Sequence, residues 1–233
     1  FERFLVIWFV VVFAFFSFSG TQLPHYLLYG CTPVFILLAR NRLDFERRWL
    51  AFVPMILFAL LLAVLPEVLA FAAAKASRPF EKFLLDGLTV AFSDEARWLL
   101  PLLAIAIFGL AFWRRLPVWQ GLVIAGLLQA ATVAIIIAPR AIGVTQGPVR
   151  EAALLVKQSG ETNVVAWRII MPSFSVYRQA ATPTRVPELG QLVFTRTDRK
   201  HEVQALLAPN LVLRDVYQRS FVTLARVEAE AKQ

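Results

Sequence analysis

The chain has 233 residues, of which 58% are hydrophobic and only 17% charged, with a formal net charge of +8. Average soluble proteins carry about 25% charged residues, so this composition excludes an ordinary soluble globular protein and calls for apolar surface that faces lipid. The basic excess is dispersed, which argues against nucleic acid as a partner, and the lone Cys31 sits inside an apolar run, so no intrachain disulfide and no cysteine-based metal site is expected.

Five apolar stretches follow one another: Phe4 to Phe18, Leu23 to Ala39, Trp49 to Leu69, Trp98 to Trp113 and Val118 to Ala138. A bilayer core of ~30 Å asks for ~20 apolar residues at a 1.5 Å rise, so the third and fifth qualify on length and the others draw on flanking residues. The chain begins at Phe1 without a methionine or a basic leader, and the expectation is a portion of a longer protein. The joints place the stretches. Arg40, Arg42, Arg47 and Arg48 lie between the second and third, and Arg114 and Arg115 between the fourth and fifth, so both joints are expected on the cytoplasmic side. Ser19 to Gln22, Ala70 to Arg97 and everything after Pro139 then fall on the outer side, and Arg3 agrees with that orientation.

Within the outer loop, Pro79 suits a first helical position and Phe80, Phe83, Leu84 and Leu88 recur at helical spacing, with Glu81, Lys82 and Asp86 off that stripe. An amphipathic helix lying at the membrane surface is expected, either as a connector over the ends of the bundle or as a lid on a lipid-substrate site. The connector is preferred, since periodicity shows amphipathicity and nothing about a ligand. The tail reads differently. Pro148, Val149 and the run Glu151–Val156 form a helix that ends at Ser159-Gly160, a strand covers Asn163–Trp167, a short helix Pro172–Tyr177, a strand Gln191–Thr195 and a helix Asp198–Leu207 capped by Asp198, before a hairpin of Leu211–Tyr217 with Phe221–Val227.

The expected fold is therefore a polytopic α-helical membrane protein with about five transmembrane helices. A helical bundle occupies 1–138, with the outer amphipathic loop at 70–97, and a small soluble α/β extracytoplasmic domain occupies 139–233.

Two segments carry candidate chemistry. At Phe16 to Tyr26 a polar, glycine-containing turn delivers His25 and Tyr26 to interface depth, where a lipid phosphate sits; the residues alone favour interfacial packing, since Tyr is enriched in membrane-edge belts. At Trp167 to Tyr177 a strand leads into a Pro-Ser helix start that could hold an anion. Here too packing is favoured, with Ser173 as a cap and Phe174 and Tyr177 against the sheet. No glycine-rich phosphate loop, His-Glu-x-x-His, cysteine pair or Gly-x-Ser-x-Gly is present, and His25 and His201 are too isolated to imply a metal. No cofactor is expected.

The phrase Ser17-Phe18-Ser19-Gly20-Thr21-Gln22-Leu23-Pro24-His25-Tyr26, followed by a short span with Pro33 and ending in Leu38-Ala39-Arg40, resembles the late membrane segment of bacterial lipid-linked glycosyltransferases. These form the aminoarabinose transferase and protein mannosyltransferase-like group of the GT-C class, and Pro172-Ser173-Phe174-Ser175-Val176-Tyr177 resembles the signature of their periplasmic domain. The resemblance implies transfer of a sugar from a polyprenyl-phosphate donor to a lipid or protein acceptor, at the outer face of the bacterial inner membrane, by a multi-pass protein with its C-terminal domain in the periplasm. It further implies that the catalytic acid lies upstream of Phe1 and that Gln22, His25 and Tyr26 contact the substrate. Gln22 stands where the family usually has a lysine, which replaces a charge-assisted contact by a neutral one. An alternative stays open: a non-catalytic, membrane-anchored periplasmic module that binds a ligand or partner. A transporter piece is disfavoured, because no stretch carries midplane charges.

Overall fold

The computed structural model describes residues 1–18, 28–43 and 47–230. Ten α-helices lie among them: α1 (Glu2–Phe18), α2 (Leu28–Arg40), α3 (Arg48–Ala63), α4 (Leu65–Lys75), α5 (Pro79–Ala91), α6 (Ala96–Phe112), α7 (Val118–Thr132), α8 (Ala138–Ser159), α9 (Pro172–Arg178) and α10 (Lys200–Leu206). The strands are β1 (Val164–Ala166), β2 (Leu192–Arg196), β3 (Leu211–Arg219) and β4 (Val222–Ala229). The chain forms two compact units, one of Phe1–Phe58 with Ile105–Leu128 and one of Ala59–Ala104 with Gln129–Gln233.

The expectation of about five membrane-crossing helices is corrected. Among the described residues one helix, Val118–Ser159, is long and apolar enough to cross a bilayer; the number reaches three when each of two bent pairs counts as one span. The pairs are α3 with α4, bent by 50°, and α5 with α6, bent by 70°. Backbone chemistry explains the shortfall. Pro66 has no N–H to offer the preceding turn, so the apolar run from Trp49 to Leu69 breaks at Val64 instead of continuing as one rod. The 13 residues of α2 reach only about 20 Å at 1.5 Å each, short of a ~30 Å hydrocarbon core. The long helix survives its own proline. Five residues, Val133–Ile137, form a π-helical turn in which Ala138 N donates to Val133 O, widening the helix just before Pro139.

In the first unit α1 and α2 pair antiparallel. Arg40 at the end of α2 meets Glu2 at the start of α1 at 3.1 Å and lies over the Phe1 ring at 5.8 Å. Gly30 lets the two helices approach, since a Cβ there would stand 3.1 Å from Val12 Cγ1. The start of α3 is tied by one side chain. Arg48 Nε donates to Ala111 O at 2.9 Å, Nη1 to Leu116 O at 2.5 Å and Nη2 to Leu110 O at 2.8 Å, while the guanidinium lies over Phe52 at 5.5 Å. A cation thus adds donors to carbonyls at and just beyond the end of α6, with the sign the helix dipole favours.

In the second unit the sheet has the order β1-β2-β4-β3. β1 runs parallel to β2, with Val165 beside Val193, and α9 makes the crossover; β2 with β4 and β4 with β3 are antiparallel. α8 lays Val149, Ala152, Ala153 and Val156 on one face, where Phe174 stacks on Phe194 with ring centres 3.9 Å apart. Val165, Trp167, Val193, Val203 and Ala225 pack on the other face, with Val203 supplied by α10. α8 ends at Ser159 on Gly160, whose φ of 70° is the left-handed geometry that glycine adopts without strain. The helix does not begin at Pro148 but runs through it, because burial of Pro148 and Val149 on the core side outweighs the missing N–H. Asp198 is not a helix cap either. Arg196 takes both its oxygens, at 2.9 and 2.6 Å, and α10 starts two residues later.

Candidate functional site

Helix α5 begins at Pro79 as its sequence predicts, but its apolar stripe has a protein partner. Phe80, Phe83 and Leu84 pack against the buried core formed by α8 and the sheet, and Phe80 meets Phe221 edge to face at 5.3 Å. The Arg196 guanidinium covers the other side of Phe80 at 4.0 Å. The stripe that sequence alone lays on a membrane surface is thereby used to dock α5 on the tail. Gly87 sets how close the helices come, because a Cβ on it would stand 2.8 Å from Val144 Cγ1.

Beyond that contact the elements part and leave a cavity of about 790 Å³. Phe83, Val90 and Val144 supply apolar wall; Asp86, Asp94, Arg140, Arg219 and Ser220 supply the polar groups. Arg140, Val144, Pro148 and Glu151 recur at the 3.6-residue period, so one face of α8 carries the cavity at one end and the hairpin anchor at the other. Arg140 is mostly covered, with its Nη2 3.7 Å from Asp94 Oδ1 and its Nη1 donating to Ile136 O at 3.2 Å. Arg219 pairs with Glu151, and the Tyr217 hydroxyl donates to the same carboxylate at 2.9 Å. Burial, and then the Glu151 contact, push the Tyr217 phenol well above its ordinary value; Glu151 raises Arg219. Ser220 Oγ is buried and has no hydrogen-bond partner among the described residues. Gly143 opens on free space, with nothing within 4 Å of where its Cβ would be. Two guanidinium groups and a hydroxyl can hold an anionic head, two carboxylates can accept hydroxyl or amine donors, and the apolar wall suits a hydrocarbon neighbour.

Of the residues expected from sequence, Gln22, His25 and Tyr26 lie outside the described residues. In the second candidate, Trp167 to Tyr177, the aromatic residues pack as expected, but Met171 and not Ser173 holds the cap position of α9, and Ile170, Pro172 and Ser175 line a small cavity of about 160 Å³. Trp167 and Phe174 are buried, Arg168 lies over the Trp167 ring at 5.0 Å and reaches Glu202 at 2.8 Å, and α9 has only seven residues. Arg178, 7% exposed, donates to Thr162 O at 2.8 Å and Thr182 Oγ1 at 3.2 Å, which ties the α9 end to the chain on either side; burial pulls its pKa down. Glu67 forms an exposed ion pair with Arg97 at 3.4 Å, a contact of little energetic weight. Among the described residues no group of three or more His, Cys, Asp or Glu gathers as a metal site. Sequence reasoning missed Arg140, Asp94 and Arg219. The available signals were an arginine two residues past the end of the apolar stretch Val118 to Ala138 and glycines at 87 and 143 within helices.

No family model, no curated protein and no solved structure matches the chain.

Proposed function

We propose that this chain is the C-terminal portion of a membrane glycosyltransferase that moves a sugar from a polyprenyl-phosphate donor to a lipid or protein acceptor at the outer face of the bacterial inner membrane. The observation that carries the reading is the cavity between α5 and α8, where Arg140 and Arg219 stand beside an apolar wall on a helix long and apolar enough to cross a bilayer. An isoprenoid tail dissolves only in lipid, so an enzyme that uses it must meet the phosphate near the interface and beside hydrocarbon. The Ser17 to Tyr26 and Pro172 to Tyr177 phrases support the same reading. In it Arg140 and Arg219 neutralise the donor phosphate, Asp86 and Asp94 orient sugar hydroxyls, and Gln22, His25 and Tyr26 add contacts at headgroup depth. The acid or base that moves the proton belongs to residues upstream of Phe1.

Gly143→Phe tests this, since a ring at that position enters open space and fills the cavity without displacing a neighbour at Cβ. Reconstituted with a polyprenyl-phosphate sugar, the full-length variant is expected to lose about tenfold or more in transfer, at least ~1.4 kcal/mol at the transition state, while accumulating normally. Normal turnover in a normally accumulating variant would sink the assignment of the cavity. Tyr26→Phe and His25→Ala are expected to lower transfer without loss of protein.

A further inference from the structure

The first unit contains an apolar groove of about 570 Å³ enclosed by the end of α2, the start of α3 and the start of α7. Leu38, Leu50, Pro54, Met55 and Trp119 are among its walls, and Arg42 is the charged residue that lines it. Arg48 reaches across to the carbonyls of Leu110, Ala111 and Leu116, so the joint of Arg40 to Arg48 and the joint of Arg114 and Arg115 share one end of this unit. Those joints hold six arginines against two acidic residues, Asp44 and Glu46, which lie outside the described residues. Arg42, Arg47, Arg114 and Arg115 are exposed there. Trp49, Trp113 and Trp119, 52%, 54% and 38% exposed, flank the same joints, as aromatic side chains do at a lipid–water boundary.

We propose that this end of the unit is a binding site for an anionic phospholipid, with one acyl chain in the groove and the phosphodiester at Arg42. Arg42 Nη1 donates to Ala39 O at 3.1 Å, which steadies the guanidinium at the groove's edge, and among the described residues its other N–H groups are left for a phosphate. Charge complementarity selects the headgroup: exposed arginines grouped at an interface attract anionic lipid over zwitterionic lipid. The inference rests on the membrane part of the proposed function and does not depend on the sugar chemistry.

Trp119 reports on the occupant directly. The full chain is reconstituted in phosphatidylcholine vesicles containing phosphatidylglycerol, with bromine on the acyl chains of one lipid or the other at equal mole fraction. Subtracting the quenching of Trp119→Phe isolates the share of Trp119. Brominated phosphatidylglycerol is expected to quench that share at least about twofold more than brominated phosphatidylcholine, and Arg42→Gln, unchanged in helicity, to remove the excess. Equal quenching by both lipids overturns the site while membrane embedding stands. Excess quenching that persists in Arg42→Gln overturns the phosphate contact. A Trp119 shielded from both lipids means that protein, from this chain or a second copy, fills the groove, and the proposal falls with the lipid-facing placement of this end.

Discussion

Arg48 shows how one side chain can tie a helix start to a distant corner of the chain. Its three hydrogen bonds to Leu110, Ala111 and Leu116 join α3 to the α6–α7 corner, and a hydrogen bond involving a charged group is worth about 1.5–3 kcal/mol. Arg48→Ala is expected to cost about 2–3 kcal/mol, read as a lower thermal midpoint in detergent. Arg48→Lys should recover only part, because an ammonium lacks the fork that reaches three carbonyls at once; full recovery would show that charge alone matters. Tyr217 is a second case, set by burial and its bond to Glu151. Below about pH 10, the ordinary tyrosine value, the phenol is neutral in folded and unfolded chains alike. Above it the unfolded chain ionises while the folded one keeps the proton, so the stability of the tail falls as pH rises from about 10 through the higher folded value. Tyr217→Phe is expected to flatten that alkaline slope in denaturant titrations, and an unchanged slope would refute the burial of this phenol.

At the scale of elements, the α5–α8 contact turns on Gly87. Val144 has a stiff β-branched side chain, so a methyl at 87 has little room to be accommodated. Gly87→Ala is expected to destabilise the tail by about 1–3 kcal/mol, as overpacking does, and Val144→Ala in the same chain to restore most of the loss; additive destabilisation in the double variant would rule the contact out. The same pair of helices marks what the sequence revealed. Pro79 as a helix start, the α8 stop at Gly160 and the positions of β1 to β4 were readable, because proline, glycine and alternation act locally. The partner of the Phe80, Phe83 and Leu84 stripe was not, since periodicity records that a face is apolar and not what covers it. Nor was the break at Val64, where a continuous apolar run bends around Pro66. Arg140 was hidden for a related reason: the apolar stretch stops at Ala138, whereas the helix itself runs on to Ser159.

For the whole molecule, that 42-residue helix is the organising feature. Its residue count is roughly twice what a hydrocarbon core takes, so one part suits lipid and the apolar residues of the other part need a different cover. Val149, Ala152, Ala153 and Val156 meet that need by forming the floor on which the sheet is laid. The sheet's order has a genetic corollary. β4 lies between β2 and β3, although the ribosome releases it after both. A stop codon just before Val222 therefore removes an interior strand and leaves two others without their neighbour. Nonsense lesions this far downstream should behave as severe alleles, with the shortened product cleared by proteases.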